Sequence, residues 1–201
     1  ELEFFPNIGD TFTLPLIKLA EKLAEIAPGD LEVSFFLNSG SEANETAIKL
    51  AKQYFYEKGQ RGKYKVIARR YSYHGTTLGA VSATGLPYFR PPFEPLMPGF
   101  LFAPSANCSR CEFGLEPEKC NLLCAKTLEK LIEWEGAESI AAIIMDPIPG
   151  SNTGYPIPPV GYLEKVRELC DKNDILLIFD EIQTGIAKTG KWFACEHWNV
   201  T

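Results

Sequence analysis

The stretch that decides the fold is Ile140-Ala141-Ala142-Ile143-Ile144-Met145-Asp146, followed by the helix-like segment 159–173 and then by Ile175-Leu176-Leu177-Ile178-Phe179-Asp180. Each apolar run is short, rich in branched residues and closed by an aspartate. Between them Val166, Leu169 and Cys170 recur at helical spacing. Two continuous apolar strands joined by a helix predict a βαβ unit in a parallel sheet buried on both faces. Working outward, Lys65–Arg69 reads as another strand, and 42–58 as a helix with Ala43, Ala47, Leu50, Ala51 and Tyr54 on one face. Residues 12–27 carry Leu16, Leu19, Ala20 and Leu23 at helical spacing before Pro28-Gly29 stops them. Val33–Leu37 is a short apolar run that reads as a buried strand, and 118–135 reads as one helix. Residues 87–118 are rich in Pro, Gly and aromatics and read as a long irregular insertion. The alternation of strand and helix predicts the α/β class.

Bulk properties narrow the function. The chain has 201 residues, 45% hydrophobic and 23% charged, with a formal net charge of −6. No basic block is present to neutralise phosphates, which argues against nucleic acid. No apolar run reaches the roughly 18 residues of a membrane span. The opening Glu1-Leu2-Glu3-Phe4-Phe5 has neither a basic segment nor a long apolar stretch, so no signal peptide is expected. The expected location is cytoplasmic, and the lack of an initial Met favours a fragment.

Three groups stand where open α/β sheets bind ligands, beyond the carboxyl ends of the strands. The first is Asn38-Ser39-Gly40-Ser41-Glu42-Ala43-Asn44 at the start of a helix. Amides there favour an anion, Gly40 permits close backbone approach, and Ser41 can add a hydroxyl. The same residues also suit a plain helix cap on Ser39 or Ser41. The second group is Asp180-Glu181-Ile182-Gln183-Thr184-Gly185. A carboxylate leaving an apolar sheet needs a partner: a cationic heterocycle, a metal ion or a structural ion pair. A metal-dependent ATPase would also need a Gly-Lys-Ser or Gly-Lys-Thr phosphate loop, and the chain has none. The third is Asp146, and separately Tyr71-Ser72-Tyr73-His74-Gly75 follows a strand, where an aromatic could stack on a heterocycle or simply fill the core.

Taken in order and spacing, Asn38-Ser39-Gly40-Ser41-Glu42-Ala43, Tyr73-His74-Gly75 and Asp180–Gly185 resemble the class III aminotransferases, as does Gly190-Lys191-Trp192-Phe193-Ala194-Cys195-Glu196. The resemblance covers the chain from about residue 12. It implies the large domain of a fold-type I enzyme dependent on pyridoxal 5′-phosphate (PLP), a mostly parallel central sheet with helices on both faces. It also implies incompleteness at both ends: an N-terminal helical segment 1–30, a sheet core 31–201 with the cysteine-bearing insertion 87–124, and no C-terminal small domain. By position, Ser39, Gly40 and Ser41 would hold the cofactor phosphate. Tyr73 would stack on the ring with His74 beside it, Asp180 would pair with the ring nitrogen, and Gln183 would lie near its phenolic oxygen. The Schiff-base lysine is expected beyond Thr201, and neither Lys188 nor Lys191 is assigned that role.

The implied reaction moves an amino group from an amine, ω-amino acid or amino acid to a 2-oxo acid, in a homodimer. Other PLP reactions share these motifs, among them aminomutation, racemisation and decarboxylating transamination. A non-catalytic binding or assembly role is a further alternative. Asp146 stands where relatives often have a glutamate near the substrate, which puts the usual dual-substrate behaviour in doubt. Ile186-Ala187-Lys188 also departs from the usual Phe-Gly-Arg. Cys108, Cys111, Cys120 and Cys124 form two closely spaced pairs that could bind structural zinc, or stand as free thiols or disulfides.

Overall fold

The computed structural model describes residues 12–201, which divide into two compact units, the first ending at Phe36 and the second running Leu37–Thr201. In the first, helix α1 (Leu14–Ile26) starts at Thr13, whose hydroxyl accepts from the Leu16 amide, with a proline in the first turn. The expected strand at 33–37 does not form: the run makes no ladder with any described strand, and Val33 is 95% exposed. An apolar run becomes a strand only where a neighbour supplies backbone partners, so composition alone misread this one.

The second unit contains α2 (Gly40–Glu57), β1 (Lys65–Arg69), α3 (Leu78–Ala83), β2 (Phe100–Ala103), α4 (Pro117–Cys120), α5 (Leu123–Glu135), β3 (Ile140–Met145), α6 (Tyr162–Lys172) and β4 (Leu176–Phe179). The four strands form one parallel sheet in the order β2-β1-β3-β4. The α/β reading and the βαβ unit β3-α6-β4 are therefore both present.

Period-two alternation sorts the strand side chains onto two faces. On one face Val66, Ala68 and Ile144 pack with Ile48 of α2 and Ala83 of α3. On the other, Ile67, Ile143 and Met145 pack with Leu128 and Ile132 of α5 and with Leu163, Val166 and Leu169 of α6. β3 is buried along its whole length, which explains its unbroken apolar run.

Two features depart from the sequence reading. The insertion is not wholly irregular, because Phe100–Ala103 pairs with β1 in the register Val66↔Phe100 to Arg69↔Ala103. The helix expected over 118–135 is two helices, separated at Asn121 (φ 46°) and Leu122 (φ 51°). Both lie in the left-handed region, where no right-handed helix can continue, and Leu122 packs against the larger core cluster.

Strand order reverses between β1 and β3. From β1 the chain goes to β2 on one side, then returns to β3 on the other. Neighbouring connections therefore diverge at the carboxyl ends of β1 and β3 and leave a crevice there. The opposite end of the sheet is tied shut by Lys63. Its buried ammonium donates to the carbonyls of Ala137 (3.2 Å), Ile140 (3.4 Å), Asn173 (3.2 Å) and Asp174 (2.6 Å), and lies 4.7 Å above the Phe55 ring. This hub joins the starts of β1 and β3 to the turn before β4.

Lys63→Met keeps the side-chain length but strips the donor from these carbonyls. It is expected to destabilise the protein by about 2–4 kcal/mol, read as a lower urea midpoint at unchanged slope. An unchanged midpoint would show that the hub contributes nothing.

Candidate functional site

At the crevice lies a cavity of about 200 Å³ lined by Gly40, Ser41, Tyr73, His74, Asp146, Asp180 and Gln183, with Gly75, Ile148, Gly150 and Ile182. Seven of the eight residues expected at a cofactor and substrate site are thus gathered around one space. The eighth, Ser39, is adjacent but turned to another task. It is the N-cap of α2, with its hydroxyl accepting from the Glu42 amide at 3.2 Å, while the Glu42 carboxylate accepts from the Asn38 amide at 2.9 Å. Together the two bonds fix the helix start. Gly40 and Ser41 then occupy the first turn, whose amides have no acceptor inside the helix.

The loop after β1 is drawn tightly onto that turn. The Ser41 hydroxyl accepts from the Thr76 amide at 3.0 Å. Gly75 has φ +135°, and a Cβ on it would stand 2.3 Å from the Ser41 oxygen. Only glycine meets both demands. At Gly40 a Cβ would meet only the tip of the exposed Ile182 side chain, a flexible neighbour. Tyr73, half-buried, is braced by Phe89, whose ring meets it edge-on at a centroid distance of 5.7 Å.

Asp180 continues β4 into the cavity and is 8% exposed. Its Oδ2 accepts from the Asn44 side-chain amide at 2.7 Å and lies 2.8 Å from His74 Nδ1, while Oδ1 accepts from the Ile182 amide at 3.1 Å. Burial pushes its carboxyl upward, but His74, Asn44 and the Ile182 amide together hold it below the ordinary aspartate value. Asn44 also donates to the His74 carbonyl at 2.7 Å, so one amide ties α2 to both the β1 loop and the β4 end. The His74 amide in turn donates to the Thr84 hydroxyl at 3.0 Å.

Asp146 closes the floor at the end of β3. Buried Arg69, the last residue of β1, donates to the Asp146 carbonyl, with its guanidinium 3.9 Å from Asp146 Oδ1. Asn44 and Arg69 are functional neighbours that the sequence reading missed. For Asn44 a signal existed, because it lies one helical turn beyond Gly40 and so shares its face. For Arg69 the signal was a charge ending an otherwise apolar strand.

The adjacent acids Asp180 and Glu181 are divided. Glu181 turns away and accepts from the amides of Cys195 and Ala194, each at 2.9 Å, and from the Thr184 hydroxyl. Lys188 and Lys191 are exposed and do not line the cavity.

The cysteine expectation needs correction. Cys108, Cys111, Cys120 and Cys124 do border one small space of about 20 Å³. Among the described residues, however, no three His, Cys, Asp or Glu side chains are grouped so as to hold a metal ion. All four thiols are free. Burial pushes Cys124 up to about 11, and burial reinforced by Cys120 and Cys111 raises Cys108.

Comparison with known proteins gives a consistent result. The family description for class-III aminotransferases matches residues 4–201. A probable aminotransferase of Mycobacterium tuberculosis is 46% identical over 195 residues, covering 97% of this chain and 41% of that protein. The crystal structure of a thermostable (S)-enantioselective omega-transaminase from Thermomicrobium roseum superposes with a TM-score of 0.92 at 40% identity, over 98% of this chain and 44% of that one. The omega-transaminase of Pseudomonas jessenii, solved in complex with PMP, gives 0.93 at 38% identity, over 100% and 44%. The chain therefore spans less than half the length of these relatives.

The depressed carboxyl of Asp180 carries a pH signature. Its folded value lies below its unfolded one, so its contribution to stability is complete above about pH 4 and is lost as the pH falls through the folded value. The stability difference between the protein and its Asp180→Asn variant should therefore shrink as urea titrations move from pH 7 towards pH 3. A difference constant across that range would contradict the assignment.

Proposed function

The chain belongs to the class-III aminotransferases, and from that membership we propose that its cavity holds PLP in an enzyme that moves an amino group from an amine or amino acid to a 2-oxo acid. The donor set fits that cofactor. It offers helix-start amides for a phosphate, a flat aromatic side chain, and a buried carboxylate kept ionised for a cationic ring nitrogen. The single observation that carries the reading is Asp180: a buried, charged acid lining the same small space as the first turn of α2.

Bound there, PLP supplies a protonated pyridine ring that draws off the electrons released at the α-carbon of the amine. This chain's residues anchor and tune it. The amides of Gly40 and Ser41 would receive the phosphate, helped by the positive end of the helix dipole. Asp180 would keep the proton on the ring nitrogen, because separating a buried carboxylate from a cation is costly. Asn44 and His74 hold that carboxylate in place. Tyr73 would cover the ring, Gln183 would stand near its phenolic oxygen, and Asp146 would lie on the substrate side. The covalent lysine, the two substrates and the homodimer that the family implies belong to the whole protein.

In the full-length protein, addition of PLP is expected to produce a bound chromophore. An amine donor should convert it to pyridoxamine phosphate as 2-oxo acid is aminated. Asp180→Asn should lower turnover by on the order of 100-fold or more, the scale of losing one electrostatic contact to a developing charge, while exposed Lys191→Ala leaves it unchanged. Racemised amino acid without any pyridoxamine phosphate would instead assign another PLP reaction. A protein that binds no PLP would overturn the reading.

A further inference from the structure

Two buried polar atoms confront each other at the floor of the cavity without hydrogen-bond partners, although the Arg69 guanidinium lies 3.9 Å from one of them. His74 Nε2 and Asp146 Oδ1 are 3.6 Å apart, and neither hydrogen-bonds to any described residue. The imidazole is fully enclosed, and Asp146 is 8% exposed. A polar atom buried without a hydrogen bond is costly.

The other ring nitrogen limits the solutions. His74 Nδ1 lies 2.8 Å from Asp180 Oδ2. An ionised carboxylate can only accept, so Nδ1 must carry a hydrogen. If Nε2 then had none, its lone pair would face an acceptor oxygen with both atoms buried. One hydrogen on Nε2 removes both orphans at once, and contraction by a few tenths of an ångström brings the pair within hydrogen-bond range.

The surrounding charges agree. The charged groups facing this imidazole are Asp180 at the end of β4, Asp146 at the end of β3 and, behind Asp146, Arg69 at the end of β1. The neutral Asn44 of α2 donates to the His74 carbonyl and to Asp180 Oδ2, and the His74 backbone amide donates to the Thr84 hydroxyl. Before any cofactor is bound, two carboxylates against one guanidinium leave one negative charge, which an imidazole protonated on both nitrogens balances.

Resting on the reading of Asp180 as the ring-nitrogen partner, we propose that a proton on His74 Nε2 links it to Asp146, and that Asp146 thereby positions Asp180 through His74. The imidazole is then fixed at both edges between two carboxylates. Asp180 keeps one orientation, with Oδ2 turned to His74 and Asn44. Asp146 is a positioning residue in addition to lining the cavity.

The test uses full-length protein labelled with nitrogen-15 in its histidine rings, with the His74 signals assigned by their loss in His74→Asn. At neutral pH both His74 nitrogens should report a bound proton, with PLP and without it. Asp146→Asn should abolish the Nε2 proton and leave the Nδ1 proton, since the new amide can donate to a bare Nε2. It should also weaken PLP binding in an absorbance titration, yet add no further loss in an Asp180→Asn background, because its effect passes through Asp180.

A bare Nε2 in the unaltered protein overturns the proposal, and that measurement needs no variant to fold. Independent, multiplicative losses in the two variants overturn the positioning role. A protein with the Nε2 proton that binds no PLP would refute the cofactor reading while leaving the buried chain standing. One that binds PLP with Nε2 bare would refute only this proposal.

Discussion

The buried carboxylate of Asp180 gathers the parts of this site. Asp180 ends an apolar strand where water is scarce, and an ion so placed is tolerated only among groups that repay its lost hydration. Those groups come from distant parts of the sequence: Asn44 from α2, His74 from the loop after β1, and the Ile182 amide from the turn that follows. Each contact is a modest hydrogen bond, strengthened because its acceptor is charged. Together they require that the helix start, the β1 loop and the β4 end meet at one point. The cavity is the space left when that requirement is satisfied.

The topology makes the meeting possible. Parallel strands deliver all their carboxyl ends to one edge, and the reversal of order between β1 and β3 parts the connecting segments there. The two edges of the sheet are treated oppositely. At the amino end Lys63 gathers four carbonyls and closes the structure. At the carboxyl end Arg69, Asp146, His74 and Asp180 remain grouped around an opening. Rigidity at one end lets the other hold charged side chains in fixed positions without filling the space between them.

What the sequence disclosed follows from the same physics. β1, β3 and β4 were legible because burial on both faces forces continuous apolar runs, and their closing residues marked the functional edge. Gly40, Ser41, Tyr73, His74, Asp146, Asp180 and Gln183 were legible because motif order placed them at element ends. β2 was not, since Phe100–Ala103 lies in a Pro-rich insertion and gains its strand character only from pairing with β1. The run at 33–37 failed in the opposite direction, with the composition of a strand and no described partner. The left-handed residues Asn121 and Leu122 gave no warning, because Leu is an ordinary helix former and nothing local requires the break. The four cysteines were spaced as ligands often are and border one small space, yet among the described residues no three such side chains are grouped to hold a metal ion.

The acidic pair after β4 shows how far local sequence can carry chemical meaning. Asp180-Glu181 by itself suits a metal, a salt bridge or a cationic ring equally well. The structure separates the two acids by function. Glu181 spends both oxygens on the Ala194 and Cys195 amides and the Thr184 hydroxyl, holding the turn that contains Ala194–Trp198. That leaves Asp180 and Asp146 as the carboxylates on the cavity, with two of Asp180's neighbours already donating to Oδ2. A divalent ion binds through several such side chains, and among the described residues no three acids, histidines or cysteines are grouped to hold one. A flat monocation meeting one carboxylate edge needs no second acid beside it, and Glu181 is committed to the turn instead.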